Sequence, residues 1–572
     1  MNEKGKIRFK WELEKFVATR LKYIPELYYN YEYKYRFEYK NGVEERFRIM
    51  DKIWELNEHS NREYLRKLVE FPQLTNHEIC HEMFWNAFRG RSKMFIQIQD
   101  LSFDDNTFYN KSDEIVEDSK QVITLQCSLL TLQMLDYDIM MFRAMRDAED
   151  EEYRNAAQQH YRPYLFSFVA EIDRNKYQEL QKLQRKLVRS KQDQPNKEED
   201  ESPYLWIACT FNPNINVPHV NLNGYVVQSA SNIDKIRASL SIIEDENTSV
   251  ETINSILDGY KIRSSRIKDD DTFIQLIESK LGHKSLSTID IYKIGNGNCV
   301  FAQSDDSNMS FFYDIGFNYR HRPQKISPGV TYNYSNTMKR IVTKKPSFFI
   351  LSHWDMDHIA GSAAAGKDYF EKDWFAPDCY DACTDAKRLA IYLDLKDHLF
   401  LAARHPRIGT SPSRLIGKQI DITSATKPSH ILATYKLYMG KKDKCDSSYP
   451  NCEGIAIEYT DKIKKKVVLM MGDVNYASFN KARSTNKELS FADTQIEYLI
   501  APHHGSEHTD YLKVTNNGTI VNKGKQAIIC CTNETTDNRP NDKHLKELKK
   551  RFDDVITTEE VKGSDVSKKI LL

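Results

Sequence analysis

Four metal-capable side chains fall within six residues in the run Ser352-His353-Trp354-Asp355-Met356-Asp357-His358-Ile359-Ala360-Gly361. Imidazole mixed with carboxylate suits a divalent ion used for hydrolysis. A carboxylate stands at Gly472-Asp473, and two imidazoles stand in Pro502-His503-His504-Gly505-Ser506. A separate run, His77-Glu78-Ile79-Cys80-His81, matches H-E-x-x-H, in which two imidazoles one helical turn apart bind zinc and the Glu activates water. That motif normally lies well inside a helix, whereas Thr75-Asn76 directly before it reads as a helix cap. No third ligand follows, so an amphipathic structural helix is the better reading.

The elements that must position these residues are strands. Phe348 to Leu351 leads into the first cluster, Val467 to Met471 into Gly472-Asp473, and Tyr498 to Ala501 into Pro502. Alternation throws 353, 355 and 357 to one side of an extended chain, and His358 joins them across a turn. Three strand tips then deliver ligands to one edge. After Gly282 the text becomes short β-rich runs, 288–303, 310–315, 347–351, 454–459, 467–471, 498–501 and 527–531, so a domain boundary is expected near residue 285. Before it the chain reads as a mixed, largely helical α+β region. Tyr29, Tyr31, Tyr33, Tyr35, Phe37 and Tyr39 alternate with polar residues before Asn41-Gly42, a hairpin signal. Residues 51–90 and 121–190 look helical, 190–203 a charged linker, 204–230 strand-like, and 233–243 and 272–281 helical.

The whole chain has 572 residues, 82 Lys and Arg against 82 Asp and Glu, and a neutral total that hides opposite fields. Residues 100–152 carry fourteen acids against four Lys or Arg, and 384–444 carry twelve Lys or Arg against five acids. Only the second segment attracts a polyanion. No apolar run is long enough for a membrane helix and the first residues lack a signal core, which implies a cytoplasmic protein without membrane contact. Ten cysteines without a C-x-x-C pair fit reduced, structural thiols.

His353-x-Asp355-x-Asp357-His358, Gly472-Asp473 and Pro502-His503-His504-Gly505-Ser506 together resemble the metallo-β-lactamase superfamily. Within it they look most like the soluble domain attached to ComEC-type DNA-uptake channels. Ile294 to Cys299 resembles the family's first β-turn, and Tyr313-Asp314-Ile315-Gly316 its following strand and Asp-x-Gly. The resemblance covers about 286–572 and implies an αββα sandwich with a metal site along one edge. Asp355 stands where most of the superfamily has a second His, as it does in the competence-type branch. Asn451 resembles an Asn of that branch, and Arg539, in Asn538-Arg539-Pro540, falls where relatives often carry His-Pro.

The resemblance implies one or two divalent ions held by His353, Asp355, Asp357, His358, Asp473 and His503. The oxygen-rich set shifts preference from Zn²⁺ toward Mn²⁺ or Mg²⁺ without excluding zinc. Asp357 would also orient a water, and His504 or Arg539 would assist a leaving group or a phosphate oxygen. The branch, together with the basic segment 384–444, points to a nuclease or other phosphodiesterase, with DNA as the favoured partner. Lys387, Arg388, Arg404, Arg407 and Arg414 are expected to grip its phosphates. The alternatives are a hydrolase of a small ester, amide or thioester, and a non-catalytic sensor on the same scaffold. The first 285 residues are expected to regulate or target the enzyme, with a protein partner as one means.

Overall fold

Two mixed sheets face one another across a shared core in the computed structural model of this chain. The structure describes most of residues 262–572, with gaps at 296, 318–323, 328–329, 333, 365–366, 381–383, 404–415, 424–428, 440–453, 477–478, 480–495, 507–522, 532–539 and 562–566. Earlier in the chain it describes chiefly 94–98, 122–147, 151–161, 166–173, 206–210, 221–228 and 235–242. The aromatic hairpin near residue 29, His77 to His81, the linker at 190–203, Arg404, Arg407, Arg414, Asn451 and Arg539 lie outside the described residues.

The first sheet has eight strands in the order Ser567–Leu571, Leu286–Tyr292, Cys299–Ser304, Ser310–Ile315, Phe348–Ile350, Asp373–Pro377, Leu399–Ala402 and Ile267–Lys268. Its first three pairings are antiparallel and its last four parallel. The second has seven, Ile416–Thr423, Ile431–Met439, Ile455–Asp461, Lys466–Met470, Tyr498–Ile500, Gly524–Ile529 and Phe552–Thr557. It too is antiparallel over its first three pairings and parallel over the rest. Successive residues in a strand face opposite ways, which separates the two sides of each sheet. In the first, Phe311, Phe348 and Phe375 enter the common core with Tyr435, Ile457, Val468 and Ile528 of the second. Phe312, Phe349 and Trp374 point outward, where the Phe349 and Trp374 rings stack at 4.2 Å. Helix Thr384–Leu395 lies toward this outer layer, its Tyr392 edge-on to Phe370. The outer side of the second sheet, with Leu469, Leu499 and Ala527, is covered by Leu548 of helix Asp542–Arg551.

The β-rich runs after residue 285 form strands where the sequence places them, but the boundary itself moves. Helix Asp270–Leu281 sends Phe273, Ile274, Ile277 and Leu281 into the shared core, and Ile267–Lys268 is the edge strand beside it. Asp269 caps that helix by accepting from the Thr272 amide, and Gly282 ends it in the left-handed region at φ 56°. The unit therefore begins before residue 270, because a boundary at 285 strips its core of a helix.

Further toward the amino terminus, six strands close into an antiparallel barrel in the order Met94–Ile98, Val122–Thr131, Phe166–Asp173, Asn221–Gln228, Lys235–Ile242 and Trp206–Thr210. Helices Leu132–Asp147 and Glu151–His160 are inserted between its second and third strands. The helical expectation thus fails over 122–131, 166–173 and 235–242. Ile123, Leu125, Cys127 and Leu129 alternate with Thr124, Gln126 and Ser128, and Ile236, Ala238, Leu240 and Ile242 alternate with Arg237, Ser239 and Ser241. Period two prevails over helix propensity once a sheet supplies partners. Among the described residues no helix is long and apolar enough to cross a membrane.

Candidate metal centre

The carboxyl ends of the parallel strands meet at one edge, the place where open α/β sheets put their ligands. After Phe348–Ile350 the chain runs extended through His353 and Asp355, then turns into the short helix Met356–Ile359. Alternation ends at Asp355, and the helical turn brings Asp357 and His358 in. Gly472 follows Lys466–Met470 at φ 55°, and a Cβ there would stand 2.3 Å from Ser352 Cβ. Only glycine lets the Asp473 turn approach the His353 turn so closely. After Tyr498–Ile500, His503 and His504 both adopt left-handed conformations, at φ 49° and 52°, before Gly505 at φ 78°. The His503 amide donates to Gly472 O at 3.0 Å, tying the two turns together.

Hydrogen bonds fix the tautomer of each buried ring. Cys530 O can only accept, so His504 Nδ1, 2.8 Å away, carries the proton. Asp314 does the same for His358, whose Nδ1 lies 2.8 Å from Asp314 Oδ2. Ser352 Oγ spends its proton on Asp314 Oδ2 at 2.7 Å and so accepts from His353 Nδ1 at 3.0 Å. In the neutral rings the Nε2 atoms of His353, His358 and His504 then present lone pairs. All three, with Asp473 Oδ1, are buried and make no hydrogen bond.

These atoms converge on Asp473. Its Oδ1 lies 3.2 Å from His358 Nε2 and 3.6 Å from His504 Nε2. Its Oδ2 lies 3.8 Å from His353 Nε2 and 4.0 Å from His503 Nε2. Asp355 Oδ2 stands 3.4 Å from His353 Nε2, and Asp357 Oδ2 stands 3.0 Å from His504 Nε2. Two ligand sets with donor atoms within 4.8 Å of one another result, His353/His358/Asp473 and Asp357/His358/His504. By distance, Asp473 Oδ1 faces His358 and His504 while Oδ2 faces His353 and His503, so its two oxygens look toward different lobes of the cluster.

Burial alone would push the Asp473 carboxyl up, but the rings of His358, His504 and His503 outweigh it and hold it well below the ordinary range. Burial likewise pulls His358 down, and the surrounding carboxylates of Asp473, Asp314 and Asp357 more than reverse it. For His353, burial and His358 are overcome by Asp355 and Asp473, and its value rises. Asp357 is held low against burial by His358 and His504. The cluster thus calls for positive charge among its carboxylates. Protons on the rings supply it without a metal, whereas a divalent ion would use the lone pairs and carboxylates as they stand. The donor set fits such an ion.

The structure brings together His353, Asp355, Asp357, His358, Asp473 and His504. It interchanges the two imidazoles of the third motif: His504 joins Asp357 and His358, while His503 stands at the more open side. Strand alternation fails to anticipate this because both residues leave extended geometry for the left-handed region. Arg388 is a correction. It is 1% exposed, with Nε 2.5 Å from Asp138 Oδ2 and Nη1 2.9 Å from Asp385 Oδ1, so it has no face to offer a phosphate. Lys387 is half-buried on the same helix. The residue that sequence reasoning undervalues is Asp314. Its φ of 58° breaks the strand register, and it also accepts from the Ser352 amide at 2.6 Å and from Asn298 Nδ2 at 2.8 Å. The signal was the Asp-x-Gly after a strand.

No protein-family model and no curated protein matches the chain. Among solved structures it is similar to unliganded yeast PDE1, with 12% identity over 47% of this chain and 97% of that one, at a TM-score of 0.25. A mutant of the CmlA beta-hydroxylase shares 9% identity over 50% of this chain and 54% of that one, at a TM-score of 0.26. Both scores are too low to carry an argument.

Proposed function

We propose that the chain is a metal-dependent hydrolase built on an αββα metallo-β-lactamase sandwich, with a phosphodiester as its substrate class. The observation that carries this is the convergence of three buried imidazole lone pairs and two carboxylates from three strand tips. His353, Asp355 and Asp473 would hold one divalent ion, and Asp357, His358, His504 and Asp473 a second, with His503 at the open side of the first. Bound there, such ions acidify water and take up charge from an oxygen under attack. Asp357 is the rim carboxylate placed to orient a water as an ionised hydrogen-bond acceptor, since the neighbouring rings hold its carboxyl below the ordinary range. Asp314 and Cys530 O keep the ring protons on Nδ1, and burial of His353 and His358 keeps solvent off the ligand side.

Nucleic acid, with DNA favoured, is the substrate suggested by the remaining basic residues of the 384–444 segment, Lys387, Arg404, Arg407 and Arg414. Arg539 stays a proposed aid to the leaving group. The burial of Arg388 favours a second reading, a small ester or phosphodiester that needs no basic track. Metal analysis of the purified protein, followed by hydrolysis assays on single- and double-stranded nucleic acids and a generic phosphodiester with Mn²⁺, Mg²⁺ or Zn²⁺, tests both. Bound metal with turnover of nucleic acid supports the first, and turnover of only the small substrate the second. Protein that neither holds metal nor hydrolyses any of them overturns the enzyme reading.

A further inference from the structure

Two consecutive non-glycine residues in the left-handed region are sparsely populated, and such a turn persists only where its surroundings over-determine it. His503 and His504 form this turn, and one buried pair outside the metal cluster acts on its far end. His544, on helix Asp542–Arg551, is 1% exposed, and its Nδ1 lies 2.8 Å from Ser506 O. A carbonyl accepts only, so Nδ1 carries the proton, and in the neutral ring Nε2 accepts from Tyr476 Oη at 2.9 Å. Tyr476 is itself buried three residues beyond Asp473. The same helix start holds the turn a second time, through the Asn541 amide to Gly505 O at 2.8 Å.

We infer that His544 is a positioning residue of the metal centre. Its ring, oriented by the Tyr476 hydroxyl, holds the carbonyl end of the 502–506 turn so that the His504 ring enters the cluster. This rests on the metal reading above, with one difference: the turn is held in the metal-free protein as well. Nothing in the ligand motifs contains His544, because it acts through a backbone carbonyl.

The test compares His544→Leu, which fills the space without a donor, with His544→Asn, whose amide nitrogen takes the place of Nδ1 but fills less. Mn²⁺ affinity is measured by titration calorimetry, and amide hydrogen exchange of the 502–506 segment is followed in metal-free protein. His544→Leu should bind Mn²⁺ about ten- to a hundredfold more weakly, the usual effect of removing a partner behind a ligand. It should also exchange the His503 and Ser506 amides up to about tenfold faster. His544→Asn should recover most of both. A packing role predicts the reverse order of the two variants, and Leu binding as tightly as Asn with unchanged exchange overturns the inference. If wild-type protein binds no Mn²⁺, the metal reading fails and the exchange result alone decides on His544. If His544→Leu does not fold, Tyr476→Phe decides, since it keeps the ring and removes one hydroxyl. Faster exchange at 502–506 supports the inference and unchanged exchange overturns it.

Discussion

Asp473 is the residue on which both lobes of the cluster depend, because each of its oxygens faces different imidazoles. Asp473→Asn keeps the shape and removes the charge, so divalent metal binding should weaken by more than about a hundredfold, beyond the effect of an outer partner. Equilibrium dialysis against Mn²⁺ or Zn²⁺ measures this. Asp314 acts one step further out. Asp314→Ala leaves the Ser352 amide, Ser352 Oγ, Asn298 and His358 Nδ1 without their acceptor, at about 1–3 kcal/mol for each buried group left unpaired. The variant should be strongly destabilised in denaturant titration even without metal. The pH dependence follows from the same charges. His353 and His358 bind protons more tightly in the folded metal-free protein than the ordinary value of 6.5. Their stabilisation is fully present below that value and is lost as pH rises through the raised folded values. Chelator-treated protein should therefore melt at lower temperature as pH is raised above about 7. Metal affinity should run the other way, since the ion must displace those protons.

At the scale of elements, the strand tips were legible because an apolar run ending in His, Asp or Gly is a local pattern. The interchange of His503 and His504 was not legible. It depends on Cys530 O and Gly472 O, which reach the turn from other strands. The barrel was written as alternation at Ile123 to Leu129 and Ile236 to Ile242. In the sequence those stretches merge into longer segments that read as helical, and only pairing across the sheet decides the matter. Gly472 shows how narrow the tolerance is where two turns touch. Gly472→Ala must move Ser352, and with it the acceptor of His353 Nδ1, because the new Cβ would lie 2.4 Å from Ser352 Oγ. Metal binding should fall further than thermal stability in this variant, which calorimetry of the two properties will separate.

At the scale of the molecule, the buried Arg388 joins helix Thr384–Leu395 to helix Leu132–Asp147 of the barrel region. Tyr161 completes the joint, donating to Asp138 Oδ1 at 2.6 Å and standing edge-on to Tyr392. Burial pushes the Asp138 carboxyl up even beside the Arg388 guanidinium, so these charges are held out of water at some cost. Arg388→Met leaves Asp138 and Asp385 buried without their counter-charge and should lose about 3–5 kcal/mol. Adding Asp138→Leu should return part of that loss, and urea titration of the single and double variants reads the difference.

Each lobe of the cluster draws on both sheets. Asp314 and residues 353–358 belong to the first, and Asp473 and His504 to the second. The centre therefore cannot exist in a half-folded chain, and its contacts span nearly two hundred residues, a separation that slows folding. An ion bound there would act as a late staple between the sheets. Interactions absent from the folding transition state leave the folding rate nearly unchanged and slow unfolding instead. Stopped-flow traces with and without metal should accordingly share their refolding arm and separate on the unfolding arm.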